Sequence, residues 1–105
     1  KLYEDHCANC HGLQGQGQPG AYPALAGNRA VTMTPTNNLV RTVLGGGFAP
    51  STHGNPRPYG MPPFVLQLGD ADMAEVLTYV RSAWGNQAAP VSEFDVNTPR
   101  RSQVP

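Results

Sequence analysis

Charge is scarce in this 105-residue chain: 13% of its residues are Asp, Glu, Lys or Arg, about half the share usual in soluble proteins. Seven cations balance seven acids, and Lys1 is the only lysine. A surface so thin in cations cannot neutralise a run of phosphates, so no nucleic-acid partner is expected. No apolar run approaches the ~20 residues needed to span a bilayer, so no membrane span is expected in this chain. Nor does a charged-then-apolar leader open it, and the expectation is a mature chain or one excised from something longer. Cysteine occurs only twice and hydrophobic residues reach 39%, whereas Gly (12) and Pro (11) together exceed a fifth of the chain. The length suits one domain and excludes tandem domains. So many loop residues on so thin a core point to a bound apolar group that completes it.

The segments follow from periodicity and punctuation. Residues 1–10 (KLYEDHCANC) read as a short helix, with Leu2, Tyr3 and His6 on related faces. Residues 11–28 are dense in Gly, Gln and Pro and read as a loop. Residues 37–44 place Leu39, Val40, Val43 and Leu44 on one side of a short helix that the run Gly45 to Gly47 stops. Five prolines within residues 48–64 predict an extended, irregular segment. The strongest helix covers 70–84: Met73, Val76, Leu77, Val80 and Trp84 form one apolar stripe, Gly69 caps its start, and acids lead while Arg81 trails, as the helix dipole favours. Residues 87–105 lack periodicity, hold three prolines and are expected to form an extended C-terminal tail beside a domain of residues 1–86.

Both cysteines fall in Cys7-Ala8-Asn9-Cys10-His11, the C-x-x-C-H pattern of covalent c-type haem attachment. Residues three apart on a helix share a face, so both thiols can add to the two vinyl groups on one porphyrin edge while His11 turns an imidazole nitrogen to the iron. One haem c per chain is the expected cofactor. A structural zinc site needs four ligands, and beyond these three residues only His6 and His53 remain, with no second C-x-x-C. A redox dithiol needs a βαβ context that this chain does not suggest, and two idle core cysteines leave His11 unexplained. The literal G-x-G-x-x-G at Gly15, Gly17 and Gly20 lacks a preceding strand and a ribose-binding acid about 20 residues on, and reads as a haem-wrapping loop.

A second axial ligand has five candidates: Met33, Met61, Met73, His6 and His53. Met73 lies on the apolar helix stripe and reads as core. Met33 follows the β-branched pair Val31-Thr32 on the proximal side, and His6 shares the attachment helix; both fit poorly. Met61, in Tyr59-Gly60-Met61-Pro62-Pro63, sits where Gly60 allows close approach and prolines hold the sulfur in place. Met61 is therefore the expected distal ligand, His53 and an open or water-filled position being the alternatives. A Met thioether is soft and neutral, favours ferrous iron and closes the coordination sphere, which suits electron transfer rather than substrate activation.

With C-x-x-C-H near the start, Met-Pro about fifty residues later and an amphipathic helix ending in Trp84, residues 1–86 resemble a class I cytochrome c. The resemblance implies an all-α cytochrome c fold: a few short helices and long loops around one covalently bound haem, with first and last helices packed crosswise beside it. It also implies that the segment YPALAGN supplies the carbonyl of Pro23 to the ring N–H of His11, a bond that fixes the ring and raises its basicity. Arg57, between Pro56 and Pro58, is the candidate partner of a haem propionate, the alternative being a solvated surface arginine. Tyr59 either donates to a propionate or, more simply, packs on the ring edge. Trp84 reads as core.

The runs GGGFAPSTHGNPRPYGMPPF, LTYVRSAWGN and APVSEFDV resemble, more narrowly, the C-terminal haem domain of multi-haem cytochrome subunits of membrane-bound bacterial dehydrogenases acting on alcohols, sugars or sugar acids. Those subunits carry three C-x-x-C-H motifs and this chain has one. What the resemblance implies is an electron carrier rather than an enzyme, taking electrons from a flavin or quinoprotein dehydrogenase towards a respiratory-chain acceptor. Covalent haem attachment implies the bacterial periplasm, any membrane association coming through a parent subunit or partner. The alternatives are a haem domain fused to or excised from another periplasmic oxidoreductase, and a peroxidase or gas-binding protein with an open distal site. With one lysine and no charged docking ring, a tethered relay or an apolar docking face fits better than a freely diffusing carrier.

Overall fold

A computed structural model of the chain describes residues 1–19, 21–48 and 60–103. Six helices dominate it: α1 (Leu2–His6), α2 (Ala8–His11), α3 (Arg29–Thr32), α4 (Asn37–Gly45), α5 (Asp70–Ser82) and α6 (Glu93–Gln103). The all-α architecture read from the sequence is the one the chain adopts. A two-residue antiparallel pair is added to it, β1 (Gly47–Phe48) against β2 (Gly60–Met61), with Gly47 opposite Met61. This pair lies where an irregular segment was expected, and Pro62 and Pro63 follow directly after its second strand.

The expected first helix is two helices. Cys7, at φ −121°, leaves helical geometry and serves both as C-cap of α1 and as N-cap of α2. Packing then decides the rest. Val40, Val43 and Leu44 of α4 meet Met73, Val76, Leu77 and Val80 of α5 in one buried cluster, to which Tyr3 of α1 and Val31 of α3 add. α1 packs on α5, so the two ends of residues 1–86 close on one another. Tyr3, Tyr79 and Trp84 form an aromatic triangle at this contact, with ring centroids 5.0–5.6 Å apart.

α5 ends at Ser82, two residues before the sequence predicted, because Trp84 turns into the left-handed region at φ 53° with Gly85 following at 88°. There the indole lies over Gly15, where any side chain would strike the ring, and its Nε1 donates to the carbonyl of Leu13 at 3.2 Å. Asn86 completes the turn. Its Nδ2 donates to the carbonyls of Val80 (2.9 Å) and Leu25 (3.1 Å), and its Oδ1 accepts from the Gly27 amide (2.8 Å), tying residues 25–27 to the end of α5.

The expected extended tail is corrected: residues 93–103 form α6, packed against α4 and α5. A reciprocal capping box starts the helix, the Asp95 amide donating to Ser92 Oγ (3.1 Å) and the Ser92 amide to Asp95 Oδ2 (3.0 Å). Val96 is completely buried, and Arg100 anchors the far half of the helix by an ion pair to Asp70 at 2.7 Å and bonds to the carbonyls of Val65 and Leu68. Pro99 lies inside the helix without breaking it. Tertiary contacts outweigh its missing amide.

Candidate functional site

Between α5 on one side and α3 and α4 on the other lies a cavity of about 300 Å³. Its walls are mostly aliphatic: Val31, Leu39, Val43, Val76, Leu77 and Val80 all face it. These are the same stripes that read as core in the sequence, which means that α4 and α5 each bury part of their apolar face in the common cluster and turn part of it to this space.

Cys7, His11 and Met61 stand in the cavity wall. The attachment segment brings the first two there through the α1–α2 break, which turns Cys7 out of the helical path while α2 carries His11 inward. His11 is buried, and its Nδ1 lies 2.9 Å from the carbonyl oxygen of Pro23, itself a lining residue. With Nδ1 committed to that carbonyl, Nε2 is the ring nitrogen left to bind a metal. The loop that delivers Pro23 is held at several points: the Gly17 amide donates to the His11 carbonyl (2.7 Å) and the Leu25 amide to the Gly15 carbonyl (2.7 Å).

Cys10 is half-buried on α2 and does not line the cavity. No disulfide joins the two cysteines. Burial, with a smaller contribution from neighbouring Cys10, pushes the Cys7 thiol up to about 11, so it is uncharged at neutral pH in this apolar wall.

Met61 reaches the cavity on β2, which pairs with β1 directly after α4. Gly46 makes that approach possible: at φ 69° it caps α4, and a Cβ there would collide with the Met61 carbonyl oxygen. Met33, a poor fit in the sequence, also lines the cavity from the C-cap of α3 while 43% exposed. Met73 is wholly buried in the core as expected, and the ring of His6 meets Phe64 edge-on at 5.8 Å. His53, Arg57 and Tyr59 lie outside the described residues.

Two contributions to the site carried no local signal. Asn86 and Arg81 hold the wall segment 25–33 onto α5, Arg81 by hydrogen bonds to the carbonyls of Val31 and Met33. The fit to a flat apolar cofactor rests on the wall itself: the Cys7 thiol and an oriented imidazole at one edge, a thioether on β2, and aliphatic side chains between.

Comparison with known proteins gives the family. The chain belongs to the cytochrome c family, whose model matches residues 1–84. It is 36% identical over 106 residues to the alcohol dehydrogenase (quinone), cytochrome c subunit, of Gluconobacter oxydans (strain 621H), a match covering 100% of this chain and 22% of that protein. Over 105 residues it is 34% identical to the gluconate 2-dehydrogenase cytochrome c subunit of Pantoea cypripedii, covering 98% of this chain and 24% of that one. Cytochrome c-552 of Thermus thermophilus is 34% identical over 89 residues, or 82% of this chain and 67% of that protein. The chain thus spans less than a quarter of the two dehydrogenase subunits. Family membership implies a covalently bound haem c and makes this a haem-binding electron-transfer domain.

Proposed function

We propose that this chain holds one haem c through Cys7 and Cys10, with His11 and Met61 as axial ligands, and relays single electrons from a flavin or quinoprotein dehydrogenase towards a respiratory-chain acceptor in the bacterial periplasm. The observation that carries the reading is the His11 ring, buried in the wall of an apolar cavity with its Nδ1 2.9 Å from the Pro23 carbonyl and with Met61 lining the same space. The Pro23 carbonyl fixes the ring's tautomer and raises the basicity of Nε2. Haem c, when bound, supplies a one-electron iron couple. Met61 is a soft neutral donor that favours the ferrous state, and the aliphatic walls keep water out and the local dielectric low. Arg57 and Tyr59 are candidates, from the sequence alone, for the propionates and the ring edge.

The dehydrogenase partner is supported by the two subunits that match 98–100% of this chain. A chain that covers so little of their length acts as one relay within a larger assembly, where tethering replaces electrostatic steering.

The test is the visible spectrum of the purified protein, oxidised and reduced. A weak long-wavelength sulfur-to-iron band in the oxidised form, lost in Met61→Ala, is the expected result. Its absence, together with ready carbon monoxide binding by the reduced form, would overturn the closed site in favour of a peroxidase or gas-binding protein.

A further inference from the structure

Arg81 is the largest of the fully buried side chains, at 1% exposure. A guanidinium stays cationic inside proteins, so its burial has to be met by acceptors around it. All seven acidic side chains of the sequence lie among the described residues, and none pairs with Arg81; the ion pairs there are Lys1–Asp5 and Arg100–Asp70. Its partners are three backbone carbonyls instead. Nε donates to Ala89 at 2.8 Å, and Nη1 donates to Val31 at 3.0 Å and to Met33 at 2.9 Å. Neutral carbonyl dipoles accept from three of its five N–H groups but leave a full unit of charge without a counter-ion among the described residues. Val31 and Met33 both line the cavity, as do Leu77 and Val80 on the same helix as Arg81. The charge therefore sits directly behind the cavity wall, in a region that excludes water and screens it weakly.

We infer that Arg81 is a positioning residue whose uncompensated charge raises the reduction potential of the haem held in this cavity, an inference that rests on the His11/Met61 reading above. Losing an electron adds positive charge to the iron, which a fixed cation nearby opposes; the reduced state is correspondingly favoured. The carbonyl dipoles oppose this field only in part, since a dipole's field falls away faster with distance than a charge's. The same three bonds position the wall by tying α5 to the end of α3.

The test is a spectroelectrochemical titration of the haem-loaded chain and of Arg81→Lys and Arg81→Gln, with the thermal midpoint measured in parallel. Gln retains a donor without charge, and Lys retains charge without the planar fork. At an ambient potential equal to the wild-type midpoint, the reduced-to-oxidised ratio of Arg81→Gln is expected to fall about tenfold, or about 59 mV for one electron. Arg81→Lys is expected to lose thermal stability while keeping its ratio within about threefold of wild type, the charge being still present. An unshifted Gln variant, or Lys and Gln variants shifted equally, would overturn the inference and leave Arg81 as a structural tie. If the Gln variant takes up no haem, Arg81→Lys decides alone: a potential near wild type supports the inference, and a tenfold fall overturns it. Failure of the His11/Met61 reading would show separately, in the wild-type spectrum.

Discussion

Tyr3 shows how much one side chain on the attachment segment carries. Its hydroxyl donates to the Gly12 carbonyl at 2.6 Å, one residue beyond His11, while its ring packs against Tyr79 and Trp84. Burial chiefly, then the Cys7 thiol and Tyr79, push its pKa from 10.0 to about 12. The folded state thus holds the proton more tightly than the unfolded chain. Stability from this group is complete below the unfolded value near 10 and is lost as pH rises towards 12. Denaturant midpoints should fall across pH 10–12 in the wild type and less in Tyr3→Phe, which at pH 7 should be weaker by about 1 kcal/mol for the lost bond. Parallel slopes for the two proteins would show that Tyr3 does not couple. Cys7, His11 and Met61, which line the cavity, stand out as candidates in the sequence because their signals are local: a fixed spacing, or a Met between glycine and prolines. Arg81 and Asn86 do not, since they act on backbone carbonyls up to 61 residues away and the sequence holds no complementary side chain to betray them.

At the scale of elements, long regular stripes were readable and short or tertiary-dependent ones were not. α5 follows directly from its periodicity, and the glycine run ends α4 as expected. α3 has four residues and is held by Asn28, whose side chain accepts from the Ala30 amide at 2.9 Å, too local a signal to stand out in a loop. α6 did have a sequence mark, the Ser92-to-Asp95 capping box, but missing periodicity and three prolines argue against a helix there, and it is the packing on α4 and α5 that supplies the contacts. Two predictions belong here. In Arg100→Met, the bonds to Asp70, Val65 and Leu68 vanish, and a loss of about 2–4 kcal/mol is expected, with limited proteolysis cutting in residues 87–103 before elsewhere. Wild-type resistance in that segment would mean that Val96 and the Asn97–Asp70 bond hold α6 without Arg100. Gly46→Ala forces a methyl group against the Met61 carbonyl from a left-handed backbone, so urea unfolding should show a loss of about 2 kcal/mol or more and the sulfur-to-iron band should weaken. An intact band with intact stability would show that β1 and β2 move apart freely.

For the whole molecule the question is what α4 and α5 do when nothing fills the space between them. Their aliphatic faces line a cavity of about 300 Å³ in a chain with only 39% hydrophobic residues. At about 24 cal/mol per Å³, leaving such a cavity unfilled costs about 7 kcal/mol, comparable with the whole stability of a small domain, about 5–15 kcal/mol. Two outcomes are open to a chain without cofactor: collapse of the walls onto each other, which the bonds from Arg81 and Asn86 to residues 25–33 resist, or loss of the fold. The second is expected, because those bonds fix residues 25–33 against α5 and leave the walls little freedom to close the gap. The double variant Cys7→Ala, Cys10→Ala, which cannot hold haem covalently, should therefore show reduced far-ultraviolet helicity and a broad, weakly cooperative thermal transition, while the haem-bearing protein unfolds sharply. α6 and its contacts with α5 at Asp70 lie away from the cavity walls and should be the last structure protected from hydrogen exchange in the variant. A sharp transition with wild-type helicity in the double variant would mean instead that the aliphatic walls close on themselves and that the fold precedes its cofactor.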